Sequence, residues 1–149
     1  MIVMKFGGSS VANADRIKHV ASIIKAYKEK RPAVVLSAMG DTTDHLLEAA
    51  DQAVLGNVDV KGVAKLHEET AAILGVEIET INDLLDELKQ LLTGISMLKE
   101  LSKRTRDYLV SFGERMSVRM MAAYLNKEGI PAKAYDAYQL NQKAKGRRA

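Results

Sequence analysis

The stretch Lys5-Phe6-Gly7-Gly8-Ser9-Ser10 joins an apolar run to an amphipathic one using residue types suited to holding an anion. Glycines let backbone N–H groups approach a ligand closely, and a following helix adds its positive end. Lys5 supplies a full charge, and Ser9 and Ser10 supply hydroxyl donors. The stretch matches neither the Walker signature nor the G-x-G-x-x-G dinucleotide fingerprint. Two readings stay open: a phosphate cradle, or a strand-to-helix turn whose glycines take positive φ.

A second polar turn follows at Leu36-Ser37-Ala38-Met39-Gly40-Asp41-Thr42-Thr43-Asp44. Hydroxyls before a helix commonly cap it. They can also line a small-molecule site, because ligands of open parallel sheets collect beyond the carboxyl ends of the strands. The third candidate is Glu114, which falls in an apolar stripe with Val110, Val118, Met121 and Leu125. A carboxylate buried there needs a partner. Arg119 or an arginine on a neighbouring helix could serve, and Arg115 less readily, since adjacent helix residues do not face each other. The alternative is that Glu114 awaits a cationic ligand group such as an amine.

Other chemistry finds little support. His19, His45 and His67 lie far apart, without metal-ligand spacing, so no metal site is expected. The chain has no cysteine, which removes disulfides and thiolate chemistry. Met116, Met120 and Met121 read as core filler.

Positioning these residues requires a βαβ unit. Residues 2–6 and 33–38 are short β-branched runs that read as inner strands. Between them, Asn13 is the expected N-cap of a helix, with Asp15 in its first turn. Ile17, Val20, Ile23, Ile24 and Tyr27 form its buried stripe, and Pro32 forbids continuation. Strand, helix and strand so closely spaced imply parallel strands and a right-handed crossover. A helical excursion then spans about 42–127, with breaks at Gly56 and Gly75. Its third helix carries a stripe from Ile78 to Ile95, and its last helix runs from Arg106 to about Lys127. A third strand is expected at 132–136, after Gly129. The expected fold is therefore α/β, a partial sandwich with a short parallel sheet. So thin a sheet beside so much helix suggests part of a larger domain, and its open edge invites self-association.

With 149 residues, 47% of them hydrophobic and 28% charged, the chain fits one ordinary globular domain. No apolar run approaches membrane-spanning length, and the start lacks the features of a signal peptide. The net charge of +3 is slight and gathers in Lys143, Lys145, Arg147 and Arg148. That basic end, 141–149, is expected to be a disordered tail, and no nucleic-acid or membrane partner is expected. These features fit a cytoplasmic protein.

Three motifs, MKFGGSSV, VVLSAMGDTTD and RDYLVSFGERMS, closely resemble in order and separation the amino-terminal part of aspartate kinases, within the amino-acid kinase family. The resemblance extends to about Leu140 and implies an amino-acid kinase fold over 1–140. It also implies transfer of the ATP γ-phosphate to the β-carboxylate of L-aspartate. The product is 4-phospho-L-aspartate, at the first step toward lysine, threonine and methionine. By motif position, Lys5, Gly7, Gly8 and Ser9 would contact the transferred phosphate, with Lys5 the catalytic group. Ser37, Thr43 and Glu114 would hold aspartate, Glu114 taking its amino group. ATP and Mg²⁺ are implied for the whole enzyme, and a homo-oligomer is expected. Mg²⁺ is not expected to be held by this chain alone. The family's glycine-rich nucleotide segment and regulatory ACT domains have no counterpart, and the end NQKAKGRRA reads as truncated. The isolated chain is accordingly expected to be inactive. The competing reading is a non-catalytic α/β module that binds a small anion or dimerises.

Overall fold

The structure, a computed structural model, describes residues 2–137. Strand β1 (Val3–Phe6) leads into helix α1 (Ala14–Ala26), a single 3₁₀ turn at Lys28–Lys30 and strand β2 (Ala33–Leu36). The strands pair in parallel, Val3 opposite Ala33 and Phe6 opposite Leu36, as the βαβ reading requires. Four helices follow: α2 (Thr42–Val54), α3 (Lys61–Leu74), α4 (Glu79–Leu98) and α5 (Lys103–Lys127).

Local signals account for most boundaries. Asn13 caps α1, its side chain accepting from the Arg16 amide at 3.0 Å. Gly75 ends α3 at φ +71, a left-handed conformation that costs glycine little. The last helix starts three residues before the expected Arg106, because Ser102 caps it by accepting from the Thr105 amide at 3.1 Å. Tyr27, expected in the buried stripe of α1, instead follows the helix as its C-cap and is exposed.

Alternation in the strands separates two faces. Met4, Phe6, Val34 and Leu36 pack into the core with the helices. Val3, Lys5, Ala33 and Val35 form the exposed row, with Val3 61% and Val35 48% accessible. Helix α5 packs against α1, α2, α4 and β2.

The expected strand at 132–136 is not formed, and among the described residues the sheet has two strands. The cause lies in α5. Asn126 donates from Nδ2 to the Ala132 carbonyl and accepts from the Ala132 amide, both at 2.9 Å. One side chain thus takes both backbone groups that a ladder would use, and Pro131 has no N–H to offer. A groove of about 860 Å³ remains between β2, the end of α5 and this segment. The basic tail at 141–149 lies outside the described residues.

His67 is fully buried in α3. Its Nδ1 pairs with the Val63 carbonyl at 2.8 Å, whereas Nε2 has no hydrogen-bond partner among the described residues. Burial, opposed by the Val63 hydrogen bond and aided by nearby His45, holds the pKa below the usual 6.5. The unfolded chain therefore binds the proton more readily than the folded one. Stability contributed by neutral His67 is complete above pH ~6.5 and is lost as pH falls toward the lower folded value. Urea unfolding from pH 7.5 to 5 should show stability falling by up to ~1.4 kcal/mol per pH unit, a slope that flattens in His67→Gln. An unchanged slope in the variant would remove His67 as its source.

Candidate active site at the sheet rim

The two glycine-containing turns meet beyond the carboxyl ends of the strands. The Ser37 amide donates to the Phe6 carbonyl at 3.0 Å, and the Gly40 amide donates to the Gly8 carbonyl at 3.3 Å. Parallel pairing thus places the turns side by side, as expected from the sequence.

The glycines serve different purposes. A Cβ on Gly8 would lie 3.1 Å from the Ala38 carbonyl oxygen, so this residue is small because the turns press together. Gly40 takes φ +44 and lies against Ala12. Gly7 has neither reason: it is outside the positive-φ set, and its Cβ would meet nothing within 4 Å. The reading of Gly7-Gly8 as a positive-φ turn is therefore corrected. The amides of Gly7, Gly8 and Ser9 donate no hydrogen bond among the described residues. They leave an open backbone edge beside Lys5.

Helix capping does not explain the second turn. Helix α2 begins after Asp41 without a side-chain cap bond. The side chains of Ser37 and Thr43, both partly exposed, make no hydrogen bond among the described residues. Thr42, by contrast, is fully buried, and its hydroxyl has no hydrogen-bond partner among the described residues.

Helix α5 reaches this rim through Gly113. A Cβ there would stand 2.6 Å from the Ala38 Cβ, 3.4 Å from the Thr42 Cγ2 and 3.5 Å from a Leu46 methyl. The helix lies directly on the second turn because residue 113 has no side chain. Glu114 follows at once, and here the expectation of burial is overturned: Glu114 is exposed, while Phe112, Gly113, Arg115, Met116 and Ser117 are buried. It makes no ion pair or hydrogen bond among the described residues. The two arginines considered as its partners are engaged elsewhere.

Arg115 is 7% exposed and is the buried charge of this turn. Its guanidinium lies 3.4 Å from Glu87 and 3.3 Å from Asp136, and 4.8 Å above the Phe112 ring. Arg119 holds Asp136 in a two-pronged pair at 2.6 and 3.0 Å. Tyr108 donates to Glu87 at 2.6 Å, which raises the tyrosine pKa. The hydrogen bonds of Arg119 hold the Asp136 carboxyl below the usual range, against its burial and with help from Arg115. Sequence reasoning missed this network, although Arg115 and Arg119, four apart on one helix, were a signal for a shared carboxylate.

The turns that carry Lys5, the open amides of 7–9, Ser37 and Thr43 thus meet at one rim, and α5 touches the second of them through Gly113, one residue before Glu114. Lys5 forms no ion pair among the described residues. No group of three or more His, Asp or Glu side chains among those residues is placed to hold a metal ion.

Comparisons with known proteins identify the family. The family described as "Amino acid kinase family" matches residues 1–148. Aspartokinase 2, chloroplastic, of Arabidopsis thaliana is 52% identical over 145 residues, covering 93% of this chain and 27% of the relative. The aspartokinase of Schizosaccharomyces pombe is 34% identical, covering 91% of this chain and 30% of its own length. Among solved structures, the Clostridium acetobutylicum aspartate kinase superposes with a TM-score of 0.68 at 25% identity, covering 84% of this chain and 29% of that one. E. coli aspartokinase III, in complex with aspartate and ADP, gives 0.59 at 26% identity, covering 91% of this chain and 31% of its own. This chain therefore spans less than a third of the length of these relatives. With motif order and the family match over residues 1–148 in agreement, the conclusion is that the chain belongs to the amino acid kinase family.

Proposed function

We propose that this chain forms the aspartate- and phosphate-facing part of an aspartokinase active site. The whole enzyme would transfer the γ-phosphoryl group of ATP to the β-carboxylate of L-aspartate, giving 4-phospho-L-aspartate. In that reading Lys5, Gly7, Gly8 and Ser9 face the transferring phosphoryl group, while Ser37, Thr43 and Glu114 hold aspartate. What supports it is the meeting of the two turns at the rim, where polar groups have no partner among the described residues and no contact among them requires a glycine at position 7.

The chemistry is consistent with these residue types. The side-chain carboxylate of aspartate, which ordinarily titrates near pH ~3.9, is ionised near neutrality, so attack needs no general base. The obstacle is bringing one anion onto another. The ammonium of Lys5 and the open amides oppose that repulsion and stabilise charge spreading over the transferring group. Exposed Glu114, without an ion pair among the described residues, offers a carboxylate to the α-ammonium of aspartate. The nucleotide would be held by the portion that the relatives carry and this chain does not span.

Calorimetric titration with L-aspartate and, separately, with ATP tests this. L-Aspartate should bind the chain, and Glu114→Ala should weaken binding at least tenfold, in line with the ~1.5–3 kcal/mol of a charge-assisted bond. Failure to bind aspartate, or equal binding by the variant, would overturn the assignment. Binding of neither ligand is what a dimerising, non-catalytic module predicts.

A further inference from the structure

We propose that Arg115 is a positioning residue that sets the rotation of α5, so that Glu114 alone faces the rim. This rests on the reading of Glu114 as an aspartate contact, but it has a test of its own. Between Phe112 and Ser117, Glu114 is the single exposed position. A helix enclosed on nearly all sides at one level has one window, and a rotation of ~100° replaces each residue there by its neighbour.

Apolar packing by itself specifies that rotation poorly. Leu109, Phe112, Met116 and Met120 are buried on one face of the helix and Met121 and Leu125 on another, so no single apolar face fixes the rotation, and methionine adapts to many packings. Gly113 sets how closely α5 approaches the second turn, and the polar contacts at this level belong to Arg115. Its guanidinium is drawn toward Glu87 on α4 and toward Asp136 on the returning segment, two anchors on separate parts of the chain. The Phe112 ring supports its flat face at 4.8 Å. Asp136 is 2% exposed and is fixed independently by Arg119, so it is a rigid reference point. Arginine's planar fork suits such two-sided contact, whereas lysine offers a point charge. A turn of α5 would pull Arg115 from both carboxylates and leave charge buried without compensation, which is costly.

The chain has no cysteine, so a single introduced thiol reports on one position. Glu114→Cys and Ser117→Cys, compared by thiol-labelling rate, should differ by well over tenfold, as exposed and buried sites do. Adding Arg115→Met, which keeps an apolar stem against Phe112, should shrink the ratio at least tenfold, and Arg115→Lys should restore part of it. Lys127→Met, which removes the hydrogen bond from Lys127 to the Leu74 carbonyl, should leave the ratio unchanged at comparable loss of stability. An unchanged ratio in folded Arg115→Met overturns the proposal. If that variant does not unfold cooperatively, Asp136→Asn is substituted, with the same expectations. Aspartate titration of the Arg115 variants then shows whether rotation matters for binding: affinity should fall at least tenfold with methionine and less with lysine. Should the parent chain bind no aspartate, the functional reading fails while the labelling ratio still decides this one.

Discussion

Lys5→Ala is expected to lower aspartate-dependent ATP turnover by a factor of at least ~10²–10³ while leaving the fold intact. The assay joins this chain to the carboxyl portion that its relatives carry. The magnitude follows from the role proposed for Lys5: it supplies a full positive charge beside the open amides of 7–9, where charge on the transferring group must be stabilised. The intact fold follows from its position. Lys5 lies on the exposed row of β1 with Val3, opposite Val35, and makes no ion pair among the described residues. Removing an exposed side chain of this kind changes stability by ~0.5 kcal/mol or less. Turnover close to that of the unsubstituted protein would remove Lys5 from the chemistry. A lost unfolding transition would show that it holds the fold.

The second large effect is a reversal of sign between two helical glycines. Glycine to alanine inside a helix ordinarily stabilises by ~1 kcal/mol. Gly94 in α4 is exposed with nothing within 4 Å of its Cβ position, so Gly94→Ala should show that gain. Gly113→Ala should do the opposite. Its methyl would stand 2.6 Å from the Ala38 Cβ, and that neighbour is a buried alanine with no flexible side chain to move aside. Overpacking of this kind costs ~1–3 kcal/mol, enough to cancel the helix gain and leave a net loss. Displacement of α5 from the second turn would also carry Glu114 away from Ser37 and Thr43. Aspartate affinity should therefore fall with Gly113→Ala and hold with Gly94→Ala, measured by calorimetry beside thermal unfolding. Stabilisation by both alanines would show that α5 does not rest on Ala38.

Much of the architecture is legible in local signals because those signals act locally. Apolar runs at 2–6 and 33–38 around one amphipathic helix specify parallel strands, and parallel pairing brings Gly8 and Gly40 together. Caps at Asn13 and Gly75 depend on a few consecutive residues and are readable for that reason. Three features depend on side-chain contacts that hydrophobic periodicity does not register. The segment 132–136 has the composition of a strand, yet the Asn126 side chain claims the backbone of Ala132 before a ladder can. Gly7 and Gly8 look alike in the sequence, and only the approach of Ala38 separates a packing glycine from an open one.

Glu114 and Arg115 show the same division most clearly. Periodicity assigned the acid to an apolar stripe, but α5 packs on α1, α2, α4 and β2 and is apolar on several sides, so its pattern has no single inward direction. From residue types alone, the sequence determined a βαβ unit with a lysine-glycine turn, a hydroxyl-rich turn and an acid-bearing helix. Which charge on that helix is buried was decided by the tertiary structure. Glu87 and Asp136 together compensate the guanidinium of Arg115, and no comparable partner reaches the carboxylate of Glu114 among the described residues.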